Sequence, residues 1–110
     1  MAKQVHMKRP ADWIEFGTSG AAAAQTVSHA AVTDSQHFLC GLSVSFSATG
    51  SALASIEMDD VVIWSLQIYD KEVVTFDHPI AIDRGVKVDL EIASGGGALV
   101  SKGSIWGYSD

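Results

Sequence analysis

The sequence predicts an all-β protein: an antiparallel β-sandwich of about seven or eight short strands with an extended N-terminal arm. Three observations predict it. From His37 onward apolar residues recur with a period of two, the spacing of side chains on one face of a strand. Turn-forming residues interrupt that alternation roughly every ten residues. No stretch makes a convincing helix. At 110 residues the chain is sized for one domain with one core.

Residues 1–20 read as the arm and residues 21–110 as the sandwich. Pro10 and Gly17-Thr18-Ser19-Gly20 break the arm, while Trp13, Ile14 and Phe16 give it an apolar segment. The arm is too short to make its own core, so it should pack on the domain or on a neighbour. Ala21 to Ala24 suit a helix start, but Thr26, Val27, Ser28 and the stretch to Val32 favour one or two strands.

Phe38, Cys40, Leu42, Val44 and Phe46 then alternate with Leu39, Gly41, Ser43, Ser45 and Ser47, which puts the apolar set on one face. Thr49-Gly50-Ser51 marks a turn. Ala52, Ala54, Ile56 and Met58 follow, and Asp59-Asp60 suits a hairpin turn because Asp tolerates turn geometry. Val61 to Tyr69 is apolar on both faces, which places it in the middle of a sheet or at an interface, with Trp64 in the core. Asp70-Lys71-Glu72 reads as a charged connection. The next strand carries Val73 to Phe76 and then His78-Pro79; proline cannot donate to a ladder, so this strand lies at an edge or ends there. After Ile80 and Ile82, Asp83-Arg84-Gly85 marks a turn. Val86, Val88, Leu90 and Ile92 alternate with Lys87, Asp89 and Glu91, the cleanest one-sided pattern in the chain. Gly95-Gly96-Gly97 is a turn before a last strand from about Ala98 to Tyr108. Periodicity does not separate jelly-roll from immunoglobulin-like topology, although the Cys–Trp–Cys spacing of true immunoglobulin domains is absent.

Charged residues make up 18% of the chain and the net charge is −6. An acidic surface repels phosphate backbones and anionic lipid, so neither nucleic acid nor membrane is an expected partner. The basic tip, Lys3, Lys8 and Arg9, reads as a solvated tail. The single cysteine, Cys40, permits no intrachain disulfide and no cysteine-based zinc cluster. The opening residues lack the apolar core of a secretory signal, and no apolar run approaches the roughly 18 residues of a membrane span.

Catalytic chemistry finds little support. No Gly-x-Ser-x-Gly elbow is present, and Cys40 reads as a buried, inert thiol on the apolar face of its strand. His6, His29, His37 and His78 form no close metal-binding pair; His37 suits a strand-end hydrogen bond and His78 an edge or loop. Asp89 and Glu91 share a strand face. Such a pair could serve glycoside hydrolysis or calcium binding, but the favoured reading is a solvated face whose repulsion Lys87 softens. The expectation is therefore no enzyme, no cofactor and no metal. Trp106 and Tyr108 share one face of the last strand and form a possible interface or ligand platform. Ser43, Ser45, Ser47, Ser101, Gly103 and Gly107 make small, uncharged outward faces that permit close packing between subunits.

The runs from His37 to Phe46, Ile56 to Trp64, Phe76 to Ile80 and Gly85 to Val88, with the ending Gly107-Tyr108, resemble small β-sandwich virion proteins of tailed bacteriophages. The likeness covers roughly Thr26 to Asp110 and is carried by strand rhythm and a few turn residues. It implies a jelly-roll-like sandwich located in the virion, as a capsid decoration (cement) protein, the favoured reading, or as a small head or tail component, and commonly as a symmetric oligomer, often a homotrimer. It also implies an arm that grips the major capsid protein of the shell, with Trp13, Ile14 and Phe16 as anchors, and no cofactor. The alternative is a carbohydrate- or receptor-binding module, tail- or fibre-associated, using Trp106 and Tyr108.

Overall fold

A computed structural model describes residues 10–96 and 98–110. Eight strands follow in order: β1 (Trp13–Thr18), β2 (Gln25–His29), β3 (His37–Phe46), β4 (Ser51–Met58), β5 (Val61–Tyr69), β6 (Lys71–Ala81), β7 (Val88–Ile92) and β8 (Ser101–Ser109). They form two four-stranded antiparallel sheets, ordered β1-β8-β3-β6 and β2-β7-β4-β5. The first strand pairs with the last, the second with the seventh, the third with the sixth and the fourth with the fifth. The chain is thus one long hairpin rolled up on itself, with β3–β8 and β4–β7 pairing to seal each sheet. This is the eight-stranded jelly roll, the topology that periodicity left open.

The apolar alternation builds the core between the sheets. Leu42, Val44, Ile56, Ile68, Val88, Leu90, Ile92 and Ile105 are all buried there. At the hairpin after β4, Asp59 and Asp60 both hold positive φ, 52° and 64°. Two left-handed residues in succession give the turn whose twist matches paired strands. Asp70, also left-handed at φ 59°, alone separates β5 from β6 and carries the chain from one sheet to the other.

Several expectations need correction. The alternation assigned to β3 breaks at a bulge between Leu39 and Gly41. Leu39 is therefore buried, while Cys40, expected to be buried, is only half-buried. The bulge lies where Gly41 meets the indole of Trp106 and the carbonyl of Val74, with no room for a Cβ. Strand β5 is an edge strand rather than a central one. Trp64 packs against the core without being enclosed by it, edge-on to Phe76 at 5.5 Å. Lys71 and Glu72, read as part of a connection, already belong to β6. Pro79 does sit in an edge strand.

The apolar segment of the arm enters the sandwich: Trp13–Thr18 is β1, in full register with β8. Lys3, His6, Lys8, Arg9 and Gly97 lie outside the described residues.

Leu90 is fully buried on the central strand β7. Leu90→Ala is expected to lower the unfolding free energy by about 2–5 kcal/mol, the range for truncating an enclosed leucine. Chemical denaturation of both proteins measures the difference.

Candidate interaction face

Pairing registers fix three rows of side chains across the outer face of the β1-β8-β3-β6 sheet. The first runs Ile14, Trp106, Gly41, Thr75. The second runs Phe16, Ser104, Ser43, Val73, and the third Thr18, Lys102, Ser45, Lys71. In the second row Phe16 is 75% exposed and Val73 68% exposed, at opposite edges of the sheet. Between them Ser43 and Ser104 form a low floor, their hydroxyls sharing a 2.6 Å hydrogen bond. The result is a shallow trough with apolar rims, a neutral floor, and lysines as the only ionisable groups in the three rows.

The expected site residues divide between two faces, because successive strand residues point to opposite sides. Ile14 and Phe16 are exposed on the outer face, and Trp106 shares it, half-buried over Gly41. Tyr108 is half-buried and stacks on Phe38 with ring centroids 4.9 Å apart. Trp13 turns the other way and locks β1 to the body of the sandwich. Its ring stacks on His29 at 3.9 Å and 8°, and its Nε1 donates to Ser109 Oγ at 3.1 Å. The Ser109 hydroxyl lies 2.6 Å from His37 Nδ1, and His37 Nε2 lies 2.8 Å from the Ala30 carbonyl. A carbonyl can only accept, so Nε2 carries a proton and donates to Ala30. Glu15, on the same side of β1, reaches His29 Nδ1 at 2.8 Å. His37 thus makes the strand-end hydrogen bonds expected of it.

Sequence reasoning missed Val73 on the outer face and the contact of His29 with His37, whose ring centroids are 4.4 Å apart. Val73 sits in a run of apolar residues that does not distinguish rim from core. The two histidines come together only because β2 and β3 lie in different sheets, which spacing does not show.

On the opposite sheet, carboxylate oxygens of Glu57, Asp60 and Asp89 lie within 4.8 Å of one another. Asp89 is only 2% exposed, not solvated as expected, and its charge is well partnered. Ser28 Oγ donates to it at 2.5 Å, and Lys87 Nζ stands 3.2 Å from both Asp89 and Asp60. Hydrogen bonds to Asp60 and Asp89 push the Lys87 ammonium up from its ordinary range. Lys87, read as softening repulsion between Asp89 and Glu91, pairs with Asp89 and with Asp60, while Glu91 accepts from Thr26 Oγ1 at 2.9 Å. Glu57 is pushed up as well, first by desolvation and then by Glu91, Asp89 and Asp60.

No family model matches this chain, and no curated protein matches it significantly. No helix among the described residues is long and apolar enough to cross a membrane.

Because the Glu57 carboxyl is raised in the folded state, ionising it costs stability, and that cost appears as pH rises through the carboxylate range. Glu57→Gln is expected to melt slightly above the wild type at pH 7 and level with it at pH 3, where Glu57 is protonated. Melting curves at the two pH values measure this; a lower melting temperature for the variant at pH 7 contradicts it.

Proposed function

We propose that this chain is a non-catalytic structural subunit of a bacteriophage virion, a capsid decoration protein that binds and stabilises the head shell. It docks on the major capsid protein through the outer face of the β1-β8-β3-β6 sheet. The observation that carries this reading is the trough bounded by Phe16 and Val73, which exposes large apolar groups over a floor of hydroxyls. Exposed apolar groups around a floor free of charge make a surface that is desolvated at little cost. Lys71 and Lys102, at one end of the rows, suit an acidic patch on the shell. The resemblance in strand rhythm supports the same reading.

Ile14 and Phe16 are the anchoring residues in this account, and Trp13 is a positioning residue that holds β1 in place. The carbohydrate- or receptor-binding alternative would use Trp106 and Tyr108, which are both half-buried, Tyr108 stacked on Phe38 and Trp106 lying over Gly41.

Purified capsid shells of the same phage, sedimented with the protein, test the proposal. Wild-type protein should co-sediment to saturation, and Ile14→Asp with Phe16→Asp should bind at least tenfold more weakly while melting as the wild type does. Failure of the folded wild-type protein to bind shells, together with a positive glycan array, moves the function to the alternative. Trp13→Ala should behave differently from the rim variants, losing on the order of 3 kcal/mol of unfolding free energy, measured by denaturation in the absence of shells.

A further inference from the structure

The trough on the outer face of the β1-β8-β3-β6 sheet deepens into a pocket of about 200 Å³, lined by the side chains of Phe16, Thr18, Ser43, Ser45, Lys102 and Ser104. All of them belong to the second and third rows of the face. One is aromatic, one is a cation and the rest are hydroxyls. None is a carboxylate.

The protein itself leaves the polar groups of this pocket under-used. Ser43 Oγ and Ser104 Oγ share one hydrogen bond of 2.6 Å. Two hydroxyls hold two donor hydrogens, and that bond uses one. The accepting hydroxyl keeps a hydrogen that no acceptor among the described residues takes. Ser104 is only 7% exposed, and a buried donor left without an acceptor is costly. Lys102, on a central strand, likewise has no ion pair among the described residues. The carboxylates flanking these rows are engaged or face elsewhere. Glu72 pairs with the buried Val44 and so lies on the inner side of the sheet. Asp70 accepts from the Gly50 N–H at 3.2 Å, and Glu15 is turned inward to His29.

Lys102 can only donate, and the spare serine hydrogen can only be donated, so the missing partner is an acceptor. One cation calls for one negative charge. A phosphate carries more, and the net charge of −6 opposes its approach. A carboxylate carries one charge and accepts at both oxygens. The ring of Phe16, largely exposed, offers an apolar wall to whatever carries that carboxylate. We infer that this pocket is a carboxylate receptor for an acidic side chain of the protein partner, a glutamate. Its carboxylate lies between Lys102 and the Ser43-Ser104 pair, and its methylenes lie against Phe16. The partner is the one the shell-docking reading supplies, so the inference rests on that reading and adds which group of the shell enters the face.

The test is a titration of the full chain followed by amide chemical shifts, with two probes that differ by one charge, N-acetyl-glutamyl amide and N-acetyl-glutaminyl amide. Wild type is expected to give saturable shifts centred on Phe16, Ser45, Lys102 and Ser104 with the glutamyl probe. Two losses of about tenfold in affinity are expected, each that of one charge-assisted contact: the glutaminyl probe on wild type, and the glutamyl probe on Lys102→Gln at an unchanged melting profile. Equal binding of the two probes overturns the inference, as do shifts that map elsewhere, no saturable shift at all, or full binding by Lys102→Gln. Tighter binding of inorganic phosphate or of glucuronate than of the glutamyl probe overturns it too, and assigns the pocket to a phosphate or a sugar acid. Sedimentation with capsid shells separates the two proposals. Shells that hold Lys102→Gln as firmly as wild type overturn the pocket inference and leave the docking standing. Shells that do not bind wild type, while the glutamyl probe does bind it, overturn the docking and leave the carboxylate pocket standing.

Discussion

The near absence of side-chain bulk along the inner side of β8 is the constraint on which the sandwich depends. Ser101, Gly103, Ile105 and Gly107 alternate inward there, and only Ile105 is large. Opposite Gly103 a Cβ would press on the ends of Ile92 and Leu90; at Gly107 it would press on Trp13 and the Phe38 carbonyl. Because those places are vacant, the large side chains of β7 and the indole of Trp13 occupy them, and the layers close at the distance a packed interior requires. The same lack of bulk lets β8 lie between β1 and β3 and join the first strand to the rest.

Much of the fold was legible in the residues because the period of two survives in the strands that are covered on one side only. Val88, Leu90 and Ile92 face the core as their alternation indicates, the paired aspartates at 59 and 60 turn the chain, and Pro79 lies in an edge strand. What was not legible depends on partners distant in sequence. The bulge at Leu39 and Gly41 arises from contact with Trp106, and no local pattern announces it. Strand β5 misleads for a different reason: apolar residues on both faces usually mean two covered faces, whereas here they lie along an open edge. Strand order was also out of reach, since nested and non-nested pairings use strands of the same composition.

The candidate face was half visible. Ile14, Phe16 and Trp106 stood out as apolar groups without an assigned place in the core, and they do share one side of one sheet. Trp13 belongs with them in sequence but not in space, because adjacent strand residues cannot point the same way. One half of the segment therefore fastens the strand and the other half is displayed. The acidic group at Glu57, Asp60 and Asp89 shows the converse: three carboxylates that spacing separates are gathered by the β4–β7 pairing and by the Asp59-Asp60 turn, and they gather around Lys87.

The nested pairing also governs how the chain can assemble. Strands β4 and β5 are joined by two residues, so they meet with almost no loop to close. Each pair outward from them spans a longer stretch of chain, but once the inner pair is made, the free loop that the next pair must close is only the pair of connections beside it. The entropy of closing a loop grows with its free length, so a chain that zips from its middle never closes its whole length at once. The contact of β1 with β8, the widest separation in the sequence, becomes a short local step when it comes last.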